Sequence, residues 1–345
     1  MGFIGAHFVE HFLKSTDYEI VALDKLTYAS NGFDRLRDID AFDDKRVTIL
    51  ATDFTQPLSE GVKQEIGDVQ YILHLGAESH VDNSITNPEP FVRSNVLGTM
   101  HMLDYARELN EKKDIDPVSG EVVGNSNFKC FFYFGTDEVF GPAPEGTSYK
   151  EDDRHNPGNP YSAAKSGGEM LVKAYGNTYK LPYIITRSMN VGGQRQHPEK
   201  FIPMCIRKVY KGEEITIHSN PNKTKAGSRF YIHARNVADG YQFLIDKIEK
   251  GEDVLQQDYH ITGSEEIDNL DLAQRIAGFV GKPLKYKMVD FHSSRPGHDL
   301  RYALDGSKLA HMGWKPPHTV NEWLKHTVEW SLEKKNHRWV GLDKS

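Results

Sequence analysis

Five short runs rich in β-branched and aromatic residues, at 18–24, 47–53, 69–76, 128–136 and 183–187, alternate with amphipathic segments at 5–14, 91–110 and 161–179. Each run has the length of one buried strand, and the intervening segments repeat their apolar residues at helical spacing. Strands joined by helical crossovers pair in parallel, and the crossovers cover both faces of the sheet. The chain is therefore expected to be an α/β protein with a doubly wound parallel sheet, whose ligands sit at the carboxyl ends of the strands.

The composition narrows the partners. A chain of 345 residues can bury a large core, and its net charge of -7 gives no overall attraction to nucleic acid. Lysines and arginines are scattered, so a small molecule or a second copy of the chain is the expected partner. Only Cys130 and Cys205 are present, which excludes a disulfide framework and favours a reducing cytoplasm. No run is apolar for long enough to span a bilayer, so no membrane partner is expected. The 16 histidines include no His-Glu-x-x-His arrangement, and no metal is expected.

The texture changes along the chain. Residues 110–127, with charges, Pro117 and few hydrophobes, form an exposed excursion before the next strand. After Met189, loops with Gly192-Gly193, Pro198, Pro203 and 220–227 interrupt short elements. The expected division is a nucleotide-binding domain over 1–188, to which 229–250 returns, and a smaller substrate lobe made of 189–228 and 251–345.

Met1-Gly2-Phe3-Ile4-Gly5 looks like the tail of a Gly-x-x-Gly-x-x-Gly loop, whose backbone amides face a pyrophosphate where the loop opens a helix. Asp24 ends the next strand about twenty residues on, where a carboxylate binds an adenosine ribose and disfavours a 2′-phosphate. NAD is thus expected over NADP. The strand that should precede the loop is missing; five buried apolar side chains at about 1.5–3 kcal/mol each would rival a whole domain's stability of about 5–15 kcal/mol. An upstream apolar segment is expected for that reason.

Tyr161 and Lys165 are one helical turn apart and project from one face. A nearby ammonium should lower the phenol's pKa, so that the tyrosine takes a proton from a substrate hydroxyl while a nicotinamide takes the hydride. Tyr-x-x-x-Lys alone is commonly a surface pair; its position after a strand ending in Gly135-Thr136 favours chemistry.

Several longer motifs accompany that pair: Leu23-Asp24-Lys25-Leu26-Thr27-Tyr28, His74-Leu75-Gly76-Ala77-Glu78-Ser79-His80-Val81-Asp82, Thr136-Asp137-Glu138-Val139, Asn159-Pro160-Tyr161-Ser162-Ala163-Ala164-Lys165, Pro198-Glu199-Lys200-Phe201-Ile202-Pro203 and Arg295-Pro296-Gly297-His298-Asp299. With them the chain resembles, over nearly its whole length, the extended short-chain dehydrogenase/reductases, and among these the NDP-glucose 4,6-dehydratases of the dTDP-glucose and UDP-glucose type. The resemblance implies a Rossmann-like sheet with a smaller C-terminal substrate lobe, and a role in deoxysugar synthesis of the rhamnose kind. Asp137-Glu138 separates dehydratases from related epimerases and decarboxylases, which generally lack the adjacent acids.

By that resemblance Tyr161, aided by Lys165 and Thr136, removes the C4 hydroxyl proton as hydride leaves for NAD. Glu138 then takes the C5 proton, protonated Asp137 assists loss of the C6 hydroxyl as water, and the hydride returns to C6. Cofactor contacts are implied for Gly2, Phe3, Ile4, Gly5, Asp24, Lys25, Leu26, Thr27, Asp53, Phe54, Leu75, Gly76, Ala77, Glu78, Ser79 and Ser94, besides Tyr161 and Lys165. Substrate contacts are implied for Ser79, Thr136, Asn190, Lys200, Phe201, Arg229, Arg295 and His298, the arginines offering forked donors to a diphosphate. His80 is as readily a loop-stabilising residue as a substrate contact. The helices at 91–110 and 161–179 would form a four-helix homodimer interface, although their apolar stripes could equally face the sheet.

Three departures bear on the nucleotide. Asn190-Val191-Gly192-Gly193-Gln194 replaces the family's Asn-Asn-Tyr-Gly-Pro, Glu265 stands where the family has an asparagine and should repel a diphosphate, and 220–228 lengthens the loop before Arg229. The competing readings are a 4-epimerase or decarboxylase on the same fold, and a cofactor-binding protein without turnover.

Overall fold

The computed structural model describes residues 1–115, 122–290 and 301–343. Its central strand, Cys130–Thr136, is parallel to Tyr71–His74 on one side and to Tyr183–Ser188 on the other, and Gln257–Ile261 adds the edge beyond. Burial on both faces explains the unbroken apolar run. Cys130 and Phe132 pack with Phe8, Tyr241 and Leu244 from the helices Phe3–Ser15 and Ala234–Glu249. Phe131 and Tyr133 point the other way, onto Leu103 and Val172 from Gly98–Glu111 and Pro160–Tyr179.

A second parallel pair, Ile20–Asp24 with Val47–Ala51, carries the nucleotide end. Val9 and Leu36 cover it. Among the described residues no ladder joins this pair to the four-stranded sheet, and Ile20–Asp24 and Tyr71–His74 both line one cavity of about 1370 Å³. The expected helix over 91–110 is built as Glu89–Val92, a wider turn at Arg93–Leu97, and Gly98–Glu111. That wider turn buries Ser94 and Asn95.

The lobe has its own core, where Ile206, Ile215, Leu272 and Trp323 meet. Its strands are Glu214–Ser219 parallel to Lys285–Asp290, and Ser228–His233, which pairs with both Asn190–Gly192 and Glu266–Asp268. The helix Ala234–Glu249 packs on the main sheet through Val237, Tyr241 and Leu244. The return does not stop there: Gln257–Ile261 is a strand of that sheet, and Leu309 and Trp314 join its core, so part of 251–345 lies outside the lobe. The cause is chemical, since Asp258 and His260 interrupt the strand's apolar signal and are buried against Arg187. The excursion at 110–127 includes an antiparallel pairing of Lys113–Ile115 with Val122–Asn125.

Gln194 explains the first departure. Its carbonyl meets His7 Nε2 at 2.9 Å, and its side chain meets His233 at 2.9 Å and His326 at 2.5 Å. Gly193 sits at φ +143°, and a Cβ there would lie 2.7 Å from the His233 ring. The altered motif therefore joins the first helix to the lobe. No helix among the described residues is long and apolar enough to cross a membrane.

Candidate active site

The catalytic candidates hang on one strand, one turn and one helix. The strand Cys130–Thr136 ends at Thr136, whose hydroxyl caps the short turn Asp137–Phe140 by accepting from Glu138 N at 3.4 Å. Asn159 caps the helix Pro160–Tyr179: its side chain accepts from Ser162 N, and Ser162 Oγ accepts from Asn159 N in return. Proline at the first helical position suits this start. Thr136, Asp137, Glu138, Tyr161 and Lys165 consequently line the same cavity.

The two carboxyls are held unlike surface acids. Asp137 Oδ1 accepts from the Thr136 hydroxyl at 3.1 Å, while its Oδ2 is buried without a hydrogen-bond partner. Burial raises Asp137 to about 6. Burial and then the neighbouring Asp137 charge raise Glu138 to about 7, opposed by an amide hydrogen bond from Asn159 at 3.2 Å. Both carboxyls are thus raised toward neutrality, where one can be protonated while the other is ionised, as an acid and base acting together require. The higher proton affinity lies with Glu138.

Tyr161 departs from expectation. Burial, then the Glu138 charge, push its phenol up rather than down, against a hydrogen bond with Thr136. Lys165 Nζ donates instead to the Phe134 carbonyl at 2.6 Å and lies over the Tyr133 ring at 4.2 Å. Burial lowers Lys165 to about 8, with Glu169 opposing.

At the other end of the cavity, Gly2, Phe3, Ile4 and Gly5 open the first helix, and a Cβ added to either glycine would meet nothing within 4 Å. This open cradle of backbone at a helix start fits a pyrophosphate. Asp24 accepts from Leu26 N through Oδ1 and from the Met1 ammonium through Oδ2, both at 2.7 Å. Lys25, Thr27, Phe54, Leu75, Gly76, Ala77, Glu78 and Ser79 also line the cavity. A Cβ on Gly76 would lie 2.7 Å from the Phe54 ring, so this crossing demands glycine. These residues fit a dinucleotide, with Tyr161 and Lys165 at its reactive end.

Three expected cofactor contacts are not brought to the cavity wall. Ser94 is fully buried and accepts from Lys25 Nζ at 2.5 Å, positioning that lysine. Asp53 caps its own turn through Thr55 N, and Leu26 packs with Leu36. Among the substrate candidates Asn190, Lys200, Phe201 and Arg229 line the cavity, and Arg229 lies over the Tyr302 ring at 4.7 Å. Arg295 and His298 lie outside the described residues.

Glu265 is a correction. It pairs with Arg275 at 2.9 Å and is not among the cavity-lining residues, so its charge is neutralised away from the expected diphosphate. His80 caps the helix Val81–Thr86 through Nδ1, and its other nitrogen lies 3.9 Å from Glu199. Asn159 was missed as a site residue; the Asn-Pro-Tyr-Ser helix start signalled a cap, not its second bond to Glu138. Thr216, His218 and Asn269 also line the cavity from the lobe. No cluster of three metal-ligating side chains occurs among the described residues.

Comparison with known proteins agrees over the whole chain. Residues 1–327 match the family model described as GDP-mannose 4,6 dehydratase. The dTDP-glucose 4,6-dehydratase of Salmonella typhimurium is 33% identical, with 100% of this chain and 93% of that protein covered. The low-salt glycan biosynthesis protein Agl12 of Haloferax volcanii is 34% identical, with 96% of each covered. Among solved structures, the dTDP-glucose 4,6-dehydratase DesIV of Streptomyces venezuelae, with NAD and TYD bound, superposes with a TM-score of 0.80 at 30% identity, covering 98% of this chain and 96% of that one.

Proposed function

Because the chain belongs to the GDP-mannose 4,6-dehydratase family, within the extended short-chain dehydrogenase/reductases, we propose that it dehydrates a nucleotide-diphosphate glucose to the 4-keto-6-deoxy sugar. It is an NAD-dependent hydro-lyase. The observation that carries this reading is the adjacent Asp137 and Glu138, one buried and one half-buried, raised to about 6 and about 7, with Tyr161 in the same cavity. An enzyme that only oxidised and reduced C4 would need the tyrosine but no adjacent acid and base.

When bound, NAD would supply a hydride acceptor for C4 and a donor for C6, with Tyr161 and Lys165 lining the cavity at its reactive end. Tyr161 takes the C4 hydroxyl proton, with the Thr136 hydroxyl orienting the phenol. The C4 ketone acidifies C5, from which Glu138 removes the proton. Asp137 gives its proton to the departing C6 hydroxyl, which leaves as water. Glu138 finally returns a proton to C5. Arg229 and Lys200, which both favour an ionised Glu138, would bind the diphosphate.

The carrier is a nucleoside diphosphate, with dTDP first in line. The test is a panel of dTDP-, UDP-, CDP- and GDP-hexoses, with the product followed by proton NMR. A new C6 methyl signal from a glucose substrate supports the reading, and epimerised sugar without that signal refutes it. The homodimer belongs to the same proposal: Val92, Met170 and Tyr179 are exposed apolar residues on the stretches expected at the interface. Sedimentation should give twice the chain mass, and a monomer would contradict it.

A further inference from the structure

The helix that carries Tyr161 and Lys165 places a third ionisable group on the same face, one turn further on. Glu169 is fully buried. Arg187 binds one of its oxygens, Oε2, from Nε at 2.9 Å and from a terminal nitrogen at 2.7 Å. The other, Oε1, is buried with no hydrogen-bond partner. It lies against Gly135, the residue before Thr136, where a Cβ would come within 2.5 Å of it. Glycine at 135 is thus what lets this carboxylate approach the catalytic strand.

Arg187 is held from its far side too. Asp258 accepts from it at 2.6 Å and also meets Lys173 at 2.8 Å. Arg187 is therefore shared between Glu169 and Asp258 rather than answering Glu169 alone, and His155 Nε2 lies 3.5 Å from Glu169 Oε2. Burial raises the Glu169 carboxyl, and the charge and hydrogen bond of Arg187 oppose it, so this guanidinium is what holds the group as a carboxylate.

We propose that Glu169 is a positioning residue for the dehydratase reaction: fixed by Arg187, it keeps Lys165 an ammonium ion beside Tyr161. This rests on the reading of Tyr161 and Lys165 given above. Other groups also act on Lys165. Its own helix presents Tyr161 and Glu169, the central strand presents the Tyr133 ring and the Phe134 carbonyl, and the turn after it presents Asp137 and Glu138. Arg187, from Tyr183–Ser188, and His155, kept neutral by burial, face Glu169, and His74, also kept neutral by burial, faces Lys165 from Tyr71–His74. Glu169 opposes the burial that would otherwise discharge the ammonium.

The sign follows directly. A carboxylate stabilises the ammonium and raises its pKa, so removing that charge lets burial lower Lys165 further and the ammonium is lost at lower pH. The experiment is a titration of 13C-lysine-labelled full-length protein, with the Lys165 resonance assigned by its disappearance in Lys165→Met. In Glu169→Gln the midpoint of Lys165 should fall by about one pH unit, and the alkaline limb of the turnover profile should fall with it. Glu169→Asp should restore most of the shift.

An unchanged Lys165 midpoint, with activity lowered equally at every pH, would make Glu169 a packing residue and overturn the proposal. If Glu169→Gln does not fold, Asp258→Asn substitutes, since it frees more of the Arg187 charge; it should lower the Lys165 midpoint by a smaller amount, and no movement overturns the proposal. The titration needs no substrate, so it is separable from a failure of the functional reading, which would appear as absence of a C6 methyl product while the Lys165 shift persists.

Discussion

The two ends of the cavity are built differently. At the catalytic end, Cys130–Thr136 is laddered on both sides, its residues are nearly all buried, and each reactive group has a named neighbour. At the cofactor end, Ile20–Asp24 ladders among the described residues only with Val47–Ala51, is mostly half-buried, and presents backbone and one carboxylate. Chemistry that moves protons between set atoms needs groups held in place, whereas a long dinucleotide is bound by many small contacts along an open cradle. Damage should therefore be abrupt at the first end and graded at the second.

The largest expected effect is at Tyr161. Tyr161→Phe should lower turnover by about a hundred- to ten-thousand-fold, with no reduced cofactor formed when substrate is added. Reduced cofactor appearing at the normal rate would remove Tyr161 from the first step. Glu138→Gln should divide the reaction, because C4 oxidation needs Tyr161 while elimination needs the carboxylate. Stopped-flow absorbance should show the reduced cofactor accumulating, and normal dehydration in this variant would contradict the assignment.

Asn159→Ala probes the preorganisation itself. Its amide favours an ionised Glu138, so removing it raises that group above about 7. The acid limb of the turnover profile, where Glu138 must be ionised to act as base, should move to higher pH, with a loss of about tenfold at neutral pH. At the cofactor end Asp24→Ala should weaken NAD binding by about fivefold in calorimetry and leave turnover at saturating NAD nearly unchanged. A collapse of turnover there would erase the contrast between the two ends. Glu265→Ala should change the substrate's KM by less than about twofold, because its charge is already answered by Arg275 at the surface.

What could be foreseen follows the range of the interactions. Most strands of the main sheet announce themselves as local apolar runs, and the candidates Thr136, Asp137, Glu138, Tyr161 and Lys165, which the fold brings to one cavity, lie within two short motifs. The edge strand Gln257–Ile261 was not, because Asp258 and His260 serve the distant Arg187 rather than an apolar face. Gln194 depends on partners far away in sequence, and Glu169 and Glu265 on arginines beyond their own short motifs. The phenol of Tyr161 went against the expected direction because burial and Glu138 outweigh what spacing alone attributes to Lys165.

The central claim is that oxidation, elimination and reduction occur in one pocket, with the hydride taken from C4 given back at C6. Incubation with NDP-glucose carrying deuterium at C4, followed by NMR of the product, tests it most directly. The account predicts deuterium in the C6 methyl group of the 4-keto sugar without added reductant. A product that keeps its C6 hydroxyl, or a methyl group without the label, would contradict it.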